Sequence, residues 1–213
     1  MDISRASLAY AQRMAGALGV GNIAFGQADV LELGGLGRSF DLIECSGVLH
    51  HLADPFAGAR ALAGVLKPGG VLFLGLYSAT ARRILAPAKA LAAGFPPTVE
   101  GIRALRRAIH AATPDDPVRQ VIDIGDFYAT SPCRDLLMHV QEVEMDIADI
   151  QRMLDENGLE FQGFTVPPAV SAAYASRFPD DPEARDLSHW AEFERRNPKT
   201  FTGMYQFRAG KPA

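Results

Sequence analysis

Cysteine is nearly absent. Cys45 and Cys133 are the two in 213 residues, too few and too dissimilar in setting for a disulfide framework or a Cys-rich zinc site. No run of about 18 apolar residues occurs, so no membrane span is expected. Val71–Leu76 is only strand length, and Ile84–Phe95 is interrupted by Pro87 and Lys89. The opening Met-Asp-Ile-Ser-Arg lacks the basic-then-apolar pattern of a secretory signal, which makes a cytoplasmic protein the expectation. Positive charge is not in excess either: 21 Lys+Arg stand against 25 Asp+Glu, for a net charge of −4. That balance argues against a dedicated nucleic-acid surface, whose affinity rests on many phosphate-neutralising cations. What the chain has is an ordinary apolar content, 48% hydrophobic against 22% charged, which excludes wholesale disorder. At roughly 150 residues per domain, the length fits one large α/β domain with insertions. No internal repeat is present.

Two periodicities alternate along the first third. Ser4 is an N-cap, and Leu8, Ala11, Ala15 and Leu18 recur at helical spacing before Gly19. Asn22–Gln27 is a short strand candidate, and Gly34, Gly35 and Gly37 make a flexible link. Phe40–Cys45 is a mostly apolar, buried strand. From Ala53 to Leu66 the pattern is helical, with Asp54 as cap and Pro55 in the first turn. Lys67-Pro-Gly-Gly70 then predicts a tight turn before Val71–Tyr77, the strongest strand in the chain. Helix and strand in alternation predict a parallel sheet with covering helices.

From Ser78 to about residue 145 the pattern is different. Ala79–Ala112 is rich in Ala and Arg and largely helical, with Arg82, Arg83, Lys89, Arg103, Arg106 and Arg107 against a single Glu100. Such a basic stretch is more often the wet face of an amphipathic helix than a docking surface for an acidic partner. A further helix is predicted from Cys133 to about Val143. The stretch reads as a helical cap inserted at about residues 78–145 into a single domain spanning 1–213. The alternation returns afterwards: Asp146 and Asp149 form a capping box, Gly158 ends that helix, Leu159–Val166 is a strand, Ala169–Arg196 an irregular helical excursion, and Thr200–Arg208 a last strand.

Three segments carry a resemblance: Gln27-Ala-Asp-Val30, Phe40-Asp-Leu-Ile-Glu-Cys-Ser-Gly-Val-Leu-His-His-Leu-Ala-Asp-Pro55 and Val65-Leu-Lys-Pro-Gly-Gly-Val71. They resemble the class I S-adenosylmethionine-dependent methyltransferases. Ser131–Glu142 and Phe201–Phe207 look like a bacterial subgroup, sometimes fused to tetratricopeptide repeats. The resemblance implies a Rossmann-like α/β sheet and S-adenosylmethionine as cofactor. It also implies a missing piece. The family opens with a strand, a Gly-rich turn and a helix, and Gly16, Gly19 and Gly21 end a helix instead of opening one. The expected sheet is therefore N-terminally truncated, lacking the family's first two strands.

By the same resemblance, Asp2 would hold the ribose hydroxyls and Asp29 would reach the adenine amino group. Val30 would supply the adjacent backbone donor and apolar contact, while Ser46 and Gly47 would line the methionine end. Each has a plainer reading, Asp2 as a helix-start charge and Asp29 as a loop cap. Methyl transfer from a sulfonium is an in-line displacement that needs positioning first, and a base only if the acceptor must lose a proton. His51 and His50 sit where such a base would stand, and Tyr77 ends the strong strand beside the expected cavity. On the predicted Cys133–Val143 helix, Asp135, His139 and Glu142 share a face. That face could bind substrate or act as a base. Metal ligation there is disfavoured, because no second His or Cys cluster is in view. A small-molecule acceptor is expected, with a non-catalytic binding or scaffold module as the alternative; the oligomeric state is left open.

Overall fold

The computed structural model describes all residues, 1–213. Helix α1 (Arg5–Ala17) starts where the Ser4 side chain accepts from the Ser7 amide, a cap that satisfies one of the orphan donors of a helix N-terminus. The strand expected at Asn22–Gln27 does not form. Only an isolated parallel bridge joins Asp2 to Gln27, with Ala28 N–H donating to the Asp2 carbonyl at 3.3 Å. A ladder needs partners on successive residues, and on either side of this bridge there are none. Asp29 then caps a 3-10 turn, Val30–Leu36, by accepting from Leu31 N–H at 2.9 Å. Leu33 on that turn is buried in the main core.

Strand β1 (Phe40–Ser46) leads through helix α2 (Pro55–Val65) into the long β2 (Leu66–Tyr77). Asp54 caps α2 by accepting from Phe56 and Ala57. The four-residue Lys67–Gly70 segment is not a free turn. Phe40 pairs with Leu66 and Leu42 with Val71, so these residues are bulged out of a parallel ladder that continues on both sides. Gly69, at φ +71°, allows the bulge. Leu72, Leu74 and Leu76 are fully buried on one face of β2.

After β2 the chain leaves the sheet for α3 (Ala79–Arg82), α4 (Ala86–Ala92), α5 (Val99–Ala111) and α6 (Thr130–Met138). Between residues 78 and 145 there is no strand. These helices have their own core, in which Leu85, Leu105, Ile109, Val121, Phe127 and Cys133 are buried apart from the main cluster. Helix α6 stops at Met138, five residues short of the expected end at Val143. The reason lies beyond it: Val143 N–H donates to the His50 carbonyl at 2.8 Å and Met145 N–H to the Tyr77 carbonyl at 2.9 Å. Those bonds require extended backbone, so residues 139–145 form a strap across the ends of β1 and β2.

Helix α7 (Ile147–Glu156) begins with the full capping box of Asp146 and Asp149. It is followed by β3 (Glu160–Phe164), α8 (Pro168–Arg177), α9 (Leu187–Arg196) and β4 (Met204–Gly210). The sheet order is β1-β2-β4-β3, with β1 and β2 parallel and β4 antiparallel to both neighbours. Trp190 stacks on Tyr174 at 4.0 Å within an aromatic core that includes Phe164 and Phe201, and its indole N–H donates to the Ala184 carbonyl. At the other edge, β1 has no partner strand on its outer side, and Leu42 is 65% exposed there. The Asp2–Gln27 bridge lies outside this sheet. No helix is long and apolar enough to cross a membrane.

Candidate functional site

Ser46, Gly47, His50, His51 and Tyr77 stand at or just beyond the carboxyl ends of β1 and β2, and Asp2 and Asp29 stand at the isolated bridge. Asp2 and Asp29 come from neighbouring parallel segments through the Asp2–Gln27 bridge. Each spends one carboxylate oxygen locally, Asp2 Oδ1 accepting from Ser4 N–H at 2.7 Å and Asp29 Oδ1 from Leu31 N–H. The plainer capping roles are thus both present. They leave Oδ2 of each carboxylate to accept from a hydroxyl or amine. Val30 begins the turn that Asp29 caps and packs against the main core.

Ser46 ends β1, and its hydroxyl lies 3.6 Å from the Met204 sulfur. Gly47 follows at φ +75°, its N–H directed to the Gly75 carbonyl at 3.3 Å, and nothing lies within 4 Å of where a Cβ would stand. Open backbone in a left-handed conformation fits a polar ligand that approaches the main chain closely. In composition and openness, Asp2, Asp29, Val30, Ser46 and Gly47 therefore suit a nucleoside with a zwitterionic tail.

The histidines occupy the next tier. His50 is fully buried, neither ring nitrogen has a partner, and it stacks on Tyr77 at 3.6 Å. Burial, followed by the nearby His51 and Arg82, pushes its pKa down to about 3. The opposite side of Tyr77 meets Arg82, whose guanidinium carbon is 3.6 Å from the ring centroid. Burial raises the Tyr77 pKa, so the phenol stays neutral. His51 is less enclosed. Its Nδ1 lies 3.4 Å from the Gln141 carbonyl; a carbonyl only accepts, so in a neutral ring bonded this way Nδ1 carries the hydrogen and Nε2 the lone pair. The His139 ring lies 4.1 Å away, centroid to centroid.

Asp135, His139 and Glu142 do not share a helical face, because α6 ends at Met138. Asp135 stays with His139 at 3.8 Å, whereas Glu142 turns inward on the strap. Its Oε2 accepts from Arg82 at 2.8 Å and from Lys89 at 2.6 Å, and Glu144 joins both cations at 3.4 and 3.3 Å. Arg82 and Lys89 are therefore not part of a wet basic face. Nothing in the local sequence pairs them with acids more than fifty residues away; the excess of cations over residues 82–107 was the one available sign. A cleft of about 500 Å³ opens beside this network, bounded by Lys89, Phe95, Leu137, Met138, His139 and Glu142.

Residues 1–72 match the family model described as a methyltransferase domain. An uncharacterized protein of Synechococcus sp. is 33% identical over 177 residues, which is 78% of this chain and 42% of that protein. A ubiquinone biosynthesis O-methyltransferase of Xanthomonas campestris is 50% identical over 42 residues, 20% of this chain and 18% of that enzyme. The structure of PKMT2 from Rickettsia typhi superposes with a TM-score of 0.73 at 14% identity, over 98% of this chain and 42% of that one. A second structure of PKMT2, in complex with AdoHcy, gives 0.66 at 12% identity. The chain thus spans less than half the length of the Synechococcus relative and of PKMT2. Over its first 72 residues the chain carries the sequence of a methyltransferase domain, and its fold is that of PKMT2.

Proposed function

We propose that this domain takes part in methyl transfer from S-adenosylmethionine to a small-molecule acceptor, in the cytoplasm. The observation that carries the reading is the arrangement after β1, where the open backbone of Gly47 is followed by the short turn that carries His51. When bound, the cofactor supplies an electrophilic methyl group. The residues around it have separate tasks. Asp2 and Asp29 accept from ribose and adenine, Val30 adds an apolar wall, and Ser46 and Gly47 receive the amino-acid end. On the acceptor side the neutral ring of His51, with Nδ1 turned to the Gln141 carbonyl, offers Nε2 to a proton or an ion. The His139 and Tyr77 rings lie 4.1 and 5.8 Å from that of His51, and the 139–145 strap is bonded to His50 and Tyr77 beside them. His50, held neutral by burial, supports the Tyr77 ring.

The free outer edge of β1 belongs to the same proposal. A strand added there would pair with the open backbone of β1 and would bring further backbone to its carboxyl end. The deciding experiment is calorimetric titration with S-adenosylhomocysteine. Saturable binding that weakens about tenfold or more in Asp29→Asn supports the reading, since a charge-assisted hydrogen bond is worth roughly 1.5–3 kcal/mol. Absence of binding favours a scaffold module that keeps the architecture alone.

A further inference from the structure

Glu142 is better sheltered than an ordinary ion pair. Its side chain is 6% exposed and both partners sit on Oε2, while Oε1 is buried with nothing to accept from. A buried oxygen in that state is costly and calls for an occupant. Two ring nitrogens are at hand: a carboxylate oxygen of Glu142 and one nitrogen each of His51 and His139 lie within 4.8 Å of one another. The fold brings His51 to His139 and Glu142 from the far end of β1, supplying the second histidine that the local sequence around residue 139 lacks.

We propose that His51, His139 and Glu142 form a binding site for a divalent first-row transition ion, with zinc the best fit. Two imidazoles and a carboxylate are a zinc-type donor set, and three protein ligands leave at least one position open. The lone pair on His51 Nε2 is already fixed by the Gln141 carbonyl at Nδ1, the outer contact that orients a ligating imidazole. His139 is held loosely, with Gln141 N–H 3.3 Å from Nδ1 and Asp135 at 3.8 Å from Nε2. Donors around zinc stand roughly 3.4 Å apart at bond lengths of about 2.1 Å. Closing from 4.8 Å falls to the His139 side chain, which lies just past the end of α6 and has only its two long contacts with Gln141 and Asp135 to give up. Charge permits it as well. The two cations Arg82 and Lys89 face the three carboxylates Glu142, Glu144 and Asp135, so with neutral imidazoles the surroundings carry one net negative charge.

His139 and Glu142 also border the cleft lined by Phe95, Leu137 and Met138. An acceptor with an oxygen at one end and an apolar body could place that oxygen on the ion, which would lower its proton affinity. This last step rests on the methyl-transfer reading; the ion site does not.

The test is titration of the untagged, metal-free full chain with zinc by calorimetry, with cobalt absorption as a second probe. One ion per chain is expected, with affinity reduced about tenfold or more in His139→Ala and saturable binding lost in His51→Ala/His139→Ala. His139 is partly exposed on the strap, so the single variant keeps its circular dichroism spectrum. No saturable binding by the wild-type chain, or unchanged binding by His139→Ala, overturns the site. Zinc binding without S-adenosylhomocysteine binding would retain the site and sink only the methyl-transfer reading.

Discussion

Arg82 and Glu142 meet at 2.8 Å with side chains only 4% and 6% exposed, and this pair fastens the strap to the end of β2. The Arg82 guanidinium simultaneously covers Tyr77, whose other face lies on His50. Strap, arginine, tyrosine and histidine thus form successive layers. Breaking a buried pair from one side leaves an uncompensated charge, at a cost of about 3–5 kcal/mol. Lys89, 2.6 Å from the same oxygen, remains in Arg82→Met, which places the loss near the lower end, about 3 kcal/mol. Urea denaturation measures it. Hydrogen exchange should also show faster opening at the amides of Val143 and Met145, whose bonds hold the strap. An unchanged midpoint with unchanged exchange would mean the pair anchors nothing.

His50 gives the fold a sensitivity to acid. Its native pKa is depressed to about 3 from 6.5, chiefly by burial. Between those values the unfolded chain binds a proton that the native state refuses, so stability rises with pH across this window and is lost on acidification below 6.5. His50→Phe can keep the stack on Tyr77 while removing the proton. The wild-type chain should gain stability relative to this variant as pH is raised from about 4 to 7, read from denaturation midpoints. Parallel pH profiles for the two would contradict the depressed pKa.

Much of the frame was legible because local signals agree with the tertiary structure. Ser4, Asp54 and the Asp146–Asp149 box cap the helices their spacing implies, and the leucines of β2 are buried in alternation. What was not legible depends on partners remote in sequence. The helical pattern after Cys133 is cut at Met138 because His50 and Tyr77 offer carbonyls to Val143 and Met145. Asn22–Gln27 has strand-like residues but finds a single bridge. Lys67–Gly70 has the composition of a turn and is absorbed as a bulge because the β1–β2 ladder holds on both sides. The site followed the same division. Asp2 and Asp29 were picked out by family resemblance, and the structure shows their capping bonds; the meeting of Glu142 with Arg82, Lys89, His51 and His139 depends on a path through residues 78–145 that no local period encodes.

Gly75 occupies a position where space matters more than backbone freedom. It lies on β2 opposite Ser46 and Gln206, and an added Cβ would press on the Ser46 side chain and the Met204 sulfur. Gly75→Ala must therefore displace Ser46, part of the proposed cofactor cradle. Overpacking of this kind costs about 1–3 kcal/mol. Affinity for S-adenosylhomocysteine should fall with it, while Gly64→Ala, where the added methyl meets nothing within 4 Å, serves as the silent control. Equal affinities for Gly75→Ala and Gly64→Ala would remove Ser46 from the cradle.

Glu194 supplies a pH dependence of opposite sign. Its carboxylate is buried in α9, accepting from the Tyr205 hydroxyl at 2.9 Å and from Ser78 at 3.2 Å. Burial nonetheless outweighs those bonds and raises its pKa above the ordinary 4.5. From that value upward the native state holds a proton that the unfolded chain has released. The contribution is complete below 4.5 and is lost as pH rises through the native pKa. Glu194→Gln cannot ionise, and its amide oxygen can still accept from Tyr205. Its stability relative to wild type should therefore climb as pH is raised above about 4.5 and level off once Glu194 has ionised, whatever the offset between the two at low pH. Because the His50 effect is common to both proteins, it cancels in that difference. A difference that stays flat with pH would show that the hydrogen bonds, not burial, govern this carboxylate.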